Sequence, residues 1–184
     1  MYRLILMAIA ALIAAAAIFS SVALRANATT DEVAIQQVIR GALTATHTLE
    51  VPPPAYQGGI MPDAINQQMI DRVPVVLSQY YTGSPLARNV NVIQANIRAD
   101  KPGKVRYLAG GVENLVFTSI SVNGSTALVS VSLTAWTRVA QDQNGTLVQA
   151  NPHNDVDYTF TLTKASGRWL IDSEAWSFRP GSAP

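Results

Sequence analysis

The residues that could do chemistry are few in this sequence. The stretch NPHNDVD, residues 151–157, sets His153 beside Asp155 and Asp157. A histidine near two carboxylates is raw material for a hydrolytic or metal site. The spacing argues against both. Calcium loops spread their ligands over about twelve residues and end on a Glu. Zinc motifs place histidines at fixed short offsets, and the other histidine, His47, is remote in sequence. NPHNDVD therefore reads as a solvated hairpin loop. Asp172 and Glu174 alternate on one strand face, about 6–7 Å apart by strand rise. A paired-carboxylate site of the glycosidase kind would need both in a cleft, and a solvated outer face is the plainer expectation. No Gly-x-Ser-x-Gly elbow occurs. Gly58-Gly59 and Gly110-Gly111 do not cradle phosphate ahead of a helix. The absence of cysteine excludes a lipoprotein acyl site, disulfides, thiolate metal sites and a Cys nucleophile. The sequence thus calls for no catalytic residue, no cofactor and no metal.

The elements that must position any site follow from composition and pattern. Hydrophobic residues make up 48% of the 184, enough for a real core. The net charge of +1 carries no basic footprint for nucleic acid. Residues 1–28 form a separate segment: Arg3 is followed by an uncharged run from Leu4 to Leu24, then by Ala26-Asn27-Ala28, an A-x-A pattern. Two readings stand, a signal peptide cleaved after Ala28 and a retained membrane anchor of spanning length. Both export residues 29–184, expected as a single domain.

Thr29 and Glu32 have capping-box spacing, and Ile35, Val38, Ile39, Ala42 and Leu43 make one helical face. This helix should stop before Pro52-Pro53-Pro54. The loop VPPPAYQGGIMP reads as a stiff connector. A second helix starts at Pro62, with Pro74 predicting a kink or break near Val73, and Gly83 stops it. Ser84-Pro85 begins a third helix that ends at Lys101-Pro102-Gly103. The period then becomes two. A short strand over 104–109 precedes strands around Val116–Val122, Ala127–Trp136, Val156–Thr163 and Trp169–Trp176. Asn123-Gly124 and Asn144-Gly145 signal turns. These turns account for the asparagines of two of the three Asn-x-Ser/Thr sequons, at Asn123 and Asn144; the third is at Asn27.

Helices followed by a curved antiparallel sheet make an α+β arrangement. Its order, long hairpins and closing strand GRWLIDS, residues 167–173, resemble the cystatin-like cone of nuclear transport factor 2-like domains. Among exported members with such an ending are membrane-anchored accessory proteins of envelope and secretion systems. The resemblance implies a non-catalytic interaction or accessory module, tethered to or secreted across a bacterial membrane. Its partners would be the membrane, if residues 1–28 are uncleaved, and a protein of an envelope assembly or a second copy. The alternative it implies is a secreted small-molecule binder or polyketide-cyclase-like enzyme with a pocket in the cone. His47, Tyr80, Tyr81, Asp157 and Trp136 would line that pocket. Strand alternation adds a surface candidate: with Val129, Val131, Trp169 and Ile171 facing the helices, Trp136 and Trp176 face away, as a patch for a partner. The export expectation is checked by a C-terminal reporter fused to the full chain. It should be active outside the cytoplasm, and activity confined to the cytoplasm would refute export.

Overall fold

The structure is a computed structural model that describes residues 30–100, 106–143 and 146–182. The segment 1–28, its Asn27 sequon, the Lys101-Pro102-Gly103 stop and the Asn144-Gly145 turn lie outside the described residues. Helix α1 covers 30–48. A 3-10 turn at Pro54–Tyr56 follows, then α2 at Asp63–Leu77 and α3 at Gly83–Ala99. Among the described residues five strands follow: β1 Arg106–Asn123, β2 Thr126–Gln143, β3 Thr146–Ala150, β4 His153–Ala165 and β5 Arg168–Phe178. Residues Ile35–Pro184 form one compact unit.

The sheet is antiparallel in the order β1-β2-β4-β5, with β3 paired to the far end of β2. Val129, Val131, Leu133, Phe160, Leu162, Trp169 and Ile171 are buried on its inner face. They meet the apolar faces of the helices, among them Ile39, Leu43, Leu77, Ile93 and Ile97, all buried. The three-helix, antiparallel-sheet α+β architecture is thus the one the sequence pattern implies.

Local departures have physical causes. The helix α2 continues through Pro74 instead of breaking. Proline leaves the carbonyl four residues back without its N–H, and here the Gln94 side-chain amide fills the gap: Nε2 donates to the Ile70 carbonyl at 3.1 Å. The expected short strand and the one after it are a single strand, β1, with irregularities at Tyr107/Ala109, Glu113/Val116 and Phe117/Ser119. Asn114 has φ +52 at the second. These bulges hid the continuity from a period-two reading. The first hairpin turns on Gly124-Ser125, since Asn123 pairs with Thr126. Only Gly124 there needs positive φ, at +58. β3 had no sequence expectation behind it.

The proline loop is tied down by Arg106, which is buried. Its Nε meets Asp100 Oδ1 at 2.8 Å, and its Nη1 donates to the carbonyls of Tyr56, Gln57 and Gly59. Gln57 Nε2 adds bonds to Pro52 and Leu108 carbonyls. Four carbonyls of the loop are thereby bonded by one cation and one amide.

Trp169 is 3% exposed, with the Lys164 ammonium 5.5 Å from its ring centroid. Trp169→Ala should destabilise the fold by about 3–5 kcal/mol, measured by chemical denaturation. A loss below about 1 kcal/mol would mean the ring is not a core element.

Candidate functional site

The last strand changes face midway. Leu162 pairs with Ile171, but Thr161 pairs with Ser173, so Asp172 is an extra residue. This is a β-bulge. Before it Trp169 and Ile171 point inward; after it Glu174, Trp176 and Phe178 pair with Phe160, Tyr158 and Val156 on the inner face. The placement of Trp176 on the outer face, drawn from unbroken alternation, is therefore corrected. So is the expectation that Glu174 shares a solvated outer face with Asp172.

The bulge is held from the helical side. Ile171 N donates to the Tyr80 carbonyl at 2.8 Å, and Thr82 N donates to the Ile171 carbonyl at 2.9 Å. Tyr81 thus bridges to Ile171 in parallel. Asp172 Oδ1 lies 3.5 Å from where a side chain on Gly83 would begin, and Gly83, with φ +58, opens α3. An acidic group suits that helix end.

Glu174 then reaches the helices. Its Oε1 accepts from Arg88 Nη2 at 2.6 Å and from Asn89 Nδ2 at 2.9 Å, and its carboxylate is hydrogen-bonded to the Tyr81 hydroxyl. The Glu174 side chain is only 7% exposed. Charge-assisted bonds of this kind keep a buried carboxylate tolerable.

Around this network lies a two-lobed cavity between sheet and helices. The polar lobe, about 130 Å³, is lined by Thr46, His47, Tyr81, Asn89, Tyr158 and Glu174, among others. The apolar lobe, about 200 Å³, has Ala135, Val156, Trp176, Phe178 and Pro152 in its wall. His47, Tyr158 and Trp176 belong to both lobes. Trp176 and Phe178 meet edge to face at 5.2 Å between centroids. Trp176 is 54% exposed and Phe178 36%, so the rings stand at the opening.

Burial lowers the pKa of His47, which favours the neutral ring. Burial, and then the Glu174 charge, raise both tyrosines. Tyr158 is pushed up to about 12. Among the described residues, neither the His47 ring nor the Tyr158 hydroxyl has a hydrogen-bond partner.

The residues singled out from sequence divide. The cavity brings His47 and Tyr81 together. Tyr80 lines neither lobe: its ring packs on Gly41, where a Cβ would come 2.3 Å from Tyr80 Cε1. Asp157 stands on the outer face, where it accepts from Ser132 Oγ at 2.6 Å and pairs with Arg179 Nε at 3.2 Å. Trp136 contributes to the wall of the apolar lobe. Its ring lies against Gly111, where a Cβ would be 3.1 Å from Nε1, and it stacks with His153 at 6.4 Å. It therefore covers its own sheet. Asp155 is bound by Thr134 Oγ1 at 2.7 Å. Among the described residues no three His, Asp or Glu side chains converge as for a metal.

Tyr158, Asn89 and Phe178 were not singled out, and Glu174 was weighed only as a partner of Asp172 on one strand face. One signal was present. Large residues occupy odd positions at 169 and 171 but even positions at 174, 176 and 178, which marks a change of phase near Asp172.

No family model matches the chain, and no curated protein matches it. Solved structures of NTF2-like and cystatin-like fold are similar to it. One is an NTF2-like protein with a cystatin-like fold from Novosphingobium aromaticivorans, 14% identical, covering 85% of this chain and 90% of its own, with TM-score 0.45. Another is an NTF2-like superfamily protein from Salmonella enterica, 14% identical, covering 66% and 95%, with TM-score 0.44. A third is CagV, a VirB8 homolog of T4SS from Helicobacter pylori, 14% identical, covering 78% and 98%, with TM-score 0.42. The likeness is one of general architecture, and the functional reading rests on the residues of this chain.

The tyrosine environment has a measurable pH signature. Tyr158 has a folded pKa of about 12 against 10.0 for the free phenol. A raised pKa means its contribution to stability is complete below pH 10.0 and is lost as pH rises through about 12. Ultraviolet titration of the folded chain should show a phenol with a midpoint near 12 that disappears in Tyr158→Phe. Persistence of that step in the variant would place the late phenol elsewhere.

Proposed function

We propose that this chain is a non-catalytic binding module working outside the cytoplasm, with the mouth between helices and sheet as its contact site. The observation that carries the reading is Trp176, half exposed over an apolar hollow and braced by Phe178. Open aromatic surface of this kind is favourably covered by a ligand or partner.

The state of the ionisable groups supports binding over turnover. The Glu174 carboxylate is engaged by Arg88, Asn89 and Tyr81. Among the described residues, no carboxylate orients His47, as an activated base usually requires. The raised pKa values of Tyr81 and Tyr158 hold their protons in place.

Export rests on the apolar run and A-x-A pattern of residues 1–28. A retained segment would tether the module to a bacterial membrane as an accessory of an envelope assembly. One observation favours a second reading, a small-molecule enzyme of the polyketide-cyclase type: His47, Tyr81 and Glu174 line the same lobe. Turnover of a bound compound would distinguish it.

Native mass spectrometry of the full chain isolated from its exported compartment should show a bound species. Trp176→Ala should lose it, while Leu128→Ala, an exposed residue of the outer face, should keep it. An equally folded Trp176→Ala chain that retains everything the wild type holds would remove the mouth as the contact site.

A further inference from the structure

We propose that residues 175–182 are a strap that opens and closes the mouth independently of the rest of β5, held shut by Arg179 on the outer sheet face and released when its ion pairs are screened. This rests on the reading of the mouth as a contact site and names what regulates access to it.

The two halves of β5 are held differently. In the first half Trp169 and Ile171 are buried, and Ile171 is bonded through both its N–H and its carbonyl to the link between α2 and α3. Among the described residues, Glu174 is the last of the strand to be hydrogen-bonded to a helix, through Arg88 and Asn89. Beyond it Ala175, Trp176, Ser177 and Phe178 are all exposed, and their backbone pairs with β4 alone. A segment with few buried apolar contacts opens at lower cost than the core it extends.

What closes that end is the turn that follows. Arg179 N donates to the Asp155 carbonyl at 2.9 Å and Ser182 N to the Arg179 carbonyl at 3.0 Å. The Asp155 N–H donates to Ser182 Oγ. Phe178 faces inward, so the neighbouring Arg179 side chain falls on the outer face. There its Nε stands 3.2 Å from Asp157 Oδ1 and its Nη1 3.8 Å from Asp155 Oδ2. Its Nη2 donates to the Leu133 carbonyl of β2 at 3.4 Å. Both carboxylates are set from β2, by Ser132 and Thr134. One cation thus ties the end of β5 across β4 to β2.

The tie is electrostatic more than directional. Arg179 Nε makes its ion pair without hydrogen-bond geometry. The Arg179, Asp155 and Asp157 side chains are 39%, 46% and 50% exposed. Exposed pairs of this kind are each worth little and weaken in salt. Trp176 lines both lobes, so its departure widens the mouth where the lobes meet.

The test is hydrogen exchange of the full chain in low salt and in about 1 M NaCl, where the Debye length is about 3 Å. Exchange at residues 175–182 of the wild type should rise about two- to fivefold with salt, while the Ile171 amide stays protected. Arg179→Gln should exchange there at the high-salt rate in both conditions. The Asp155→Asn/Asp157→Asn variant should match it, and all three substitutions together should add nothing further, as one shared interaction requires. Equal protection of residues 175–182 and Ile171 in the wild type overturns the strap. So does a rate that neither salt nor either variant changes. These rates depend on no ligand, so they decide the strap even where Trp176→Ala shows that the mouth is not the contact site.

Discussion

The extra residue at Asp172 is the constraint on which the mouth depends. A one-residue insertion exchanges the two faces of everything that follows in a strand. Without it Glu174, Trp176 and Phe178 would stand among the serines and threonines of the outer sheet face. With it they reach the helices. The bulge is fixed by backbone bonds from Tyr80 and Thr82 to both sides of Ile171. The short link between α2 and α3 therefore does two things. It caps the exposed edge of β5, which would otherwise offer unpaired N–H and C=O groups, and it sets the phase of the site. Because Tyr81 sits inside that link, its hydroxyl reaches Glu174 from the segment that creates the bulge.

The Glu174 network follows from the same geometry. A carboxylate turned into a half-closed cavity must find cations or donors or lose its charge. Arg88 and Asn89 on consecutive positions of α3 supply them. Arg88 remains 54% exposed, so it lends charge to the buried carboxylate while its own head stays largely hydrated. Both contacts tie the carboxylate of β5 to α3. The site can hold a polar group in place.

Much of the fold was legible. The apolar face of Ile35, Ile39, Ala42 and Leu43 announced α1, and the alternation of Val129, Val131 and Leu133 against polar neighbours announced β2. Both signals are local and periodic, and burial enforces them. The site was legible only in part. His47 and Tyr81 line the cavity, but their company was invisible because Glu174, Tyr158 and Trp176 come together through a bulge. Alternation alone carries no mark of an inserted residue, and only the shift of large side chains from odd to even positions records it. Pro74 misled for a related reason. The residue that satisfies the orphaned Ile70 carbonyl is Gln94, twenty-four positions away, and no local rule reaches that far. Asp157 misled because its strand position fixes it outward, beside Ser132 and Arg179.

The two tryptophans expected on one outer surface have opposite fates, and this locates the open aromatic surface. Trp136 lies on the outer side, but Gly111 across the strand pair leaves room for its ring to lie flat on the sheet. His153 stacks beside it. Its apolar area is largely spent on its own domain. Around it the outer face of β2 and β4 carries Ser130, Ser132, Thr134, Thr159 and Thr161, short hydroxyl side chains that bind water without difficulty. The outer sheet face also shows isolated aliphatics such as Leu128 of β2 and Val116 of β1, which are ordinary for a protein surface. Trp176 and Phe178 differ because they are adjacent, exposed and above a hollow. Each ring offers apolar area whose removal from water is worth roughly 25 cal/mol per Å². The folded chain leaves that gain unrealised at the mouth, while it realises it for Trp136 and Trp169. The sheet's phase change therefore converts what would be a flat outer patch into a lined opening, with the half-buried His47 and Tyr158 behind the rings.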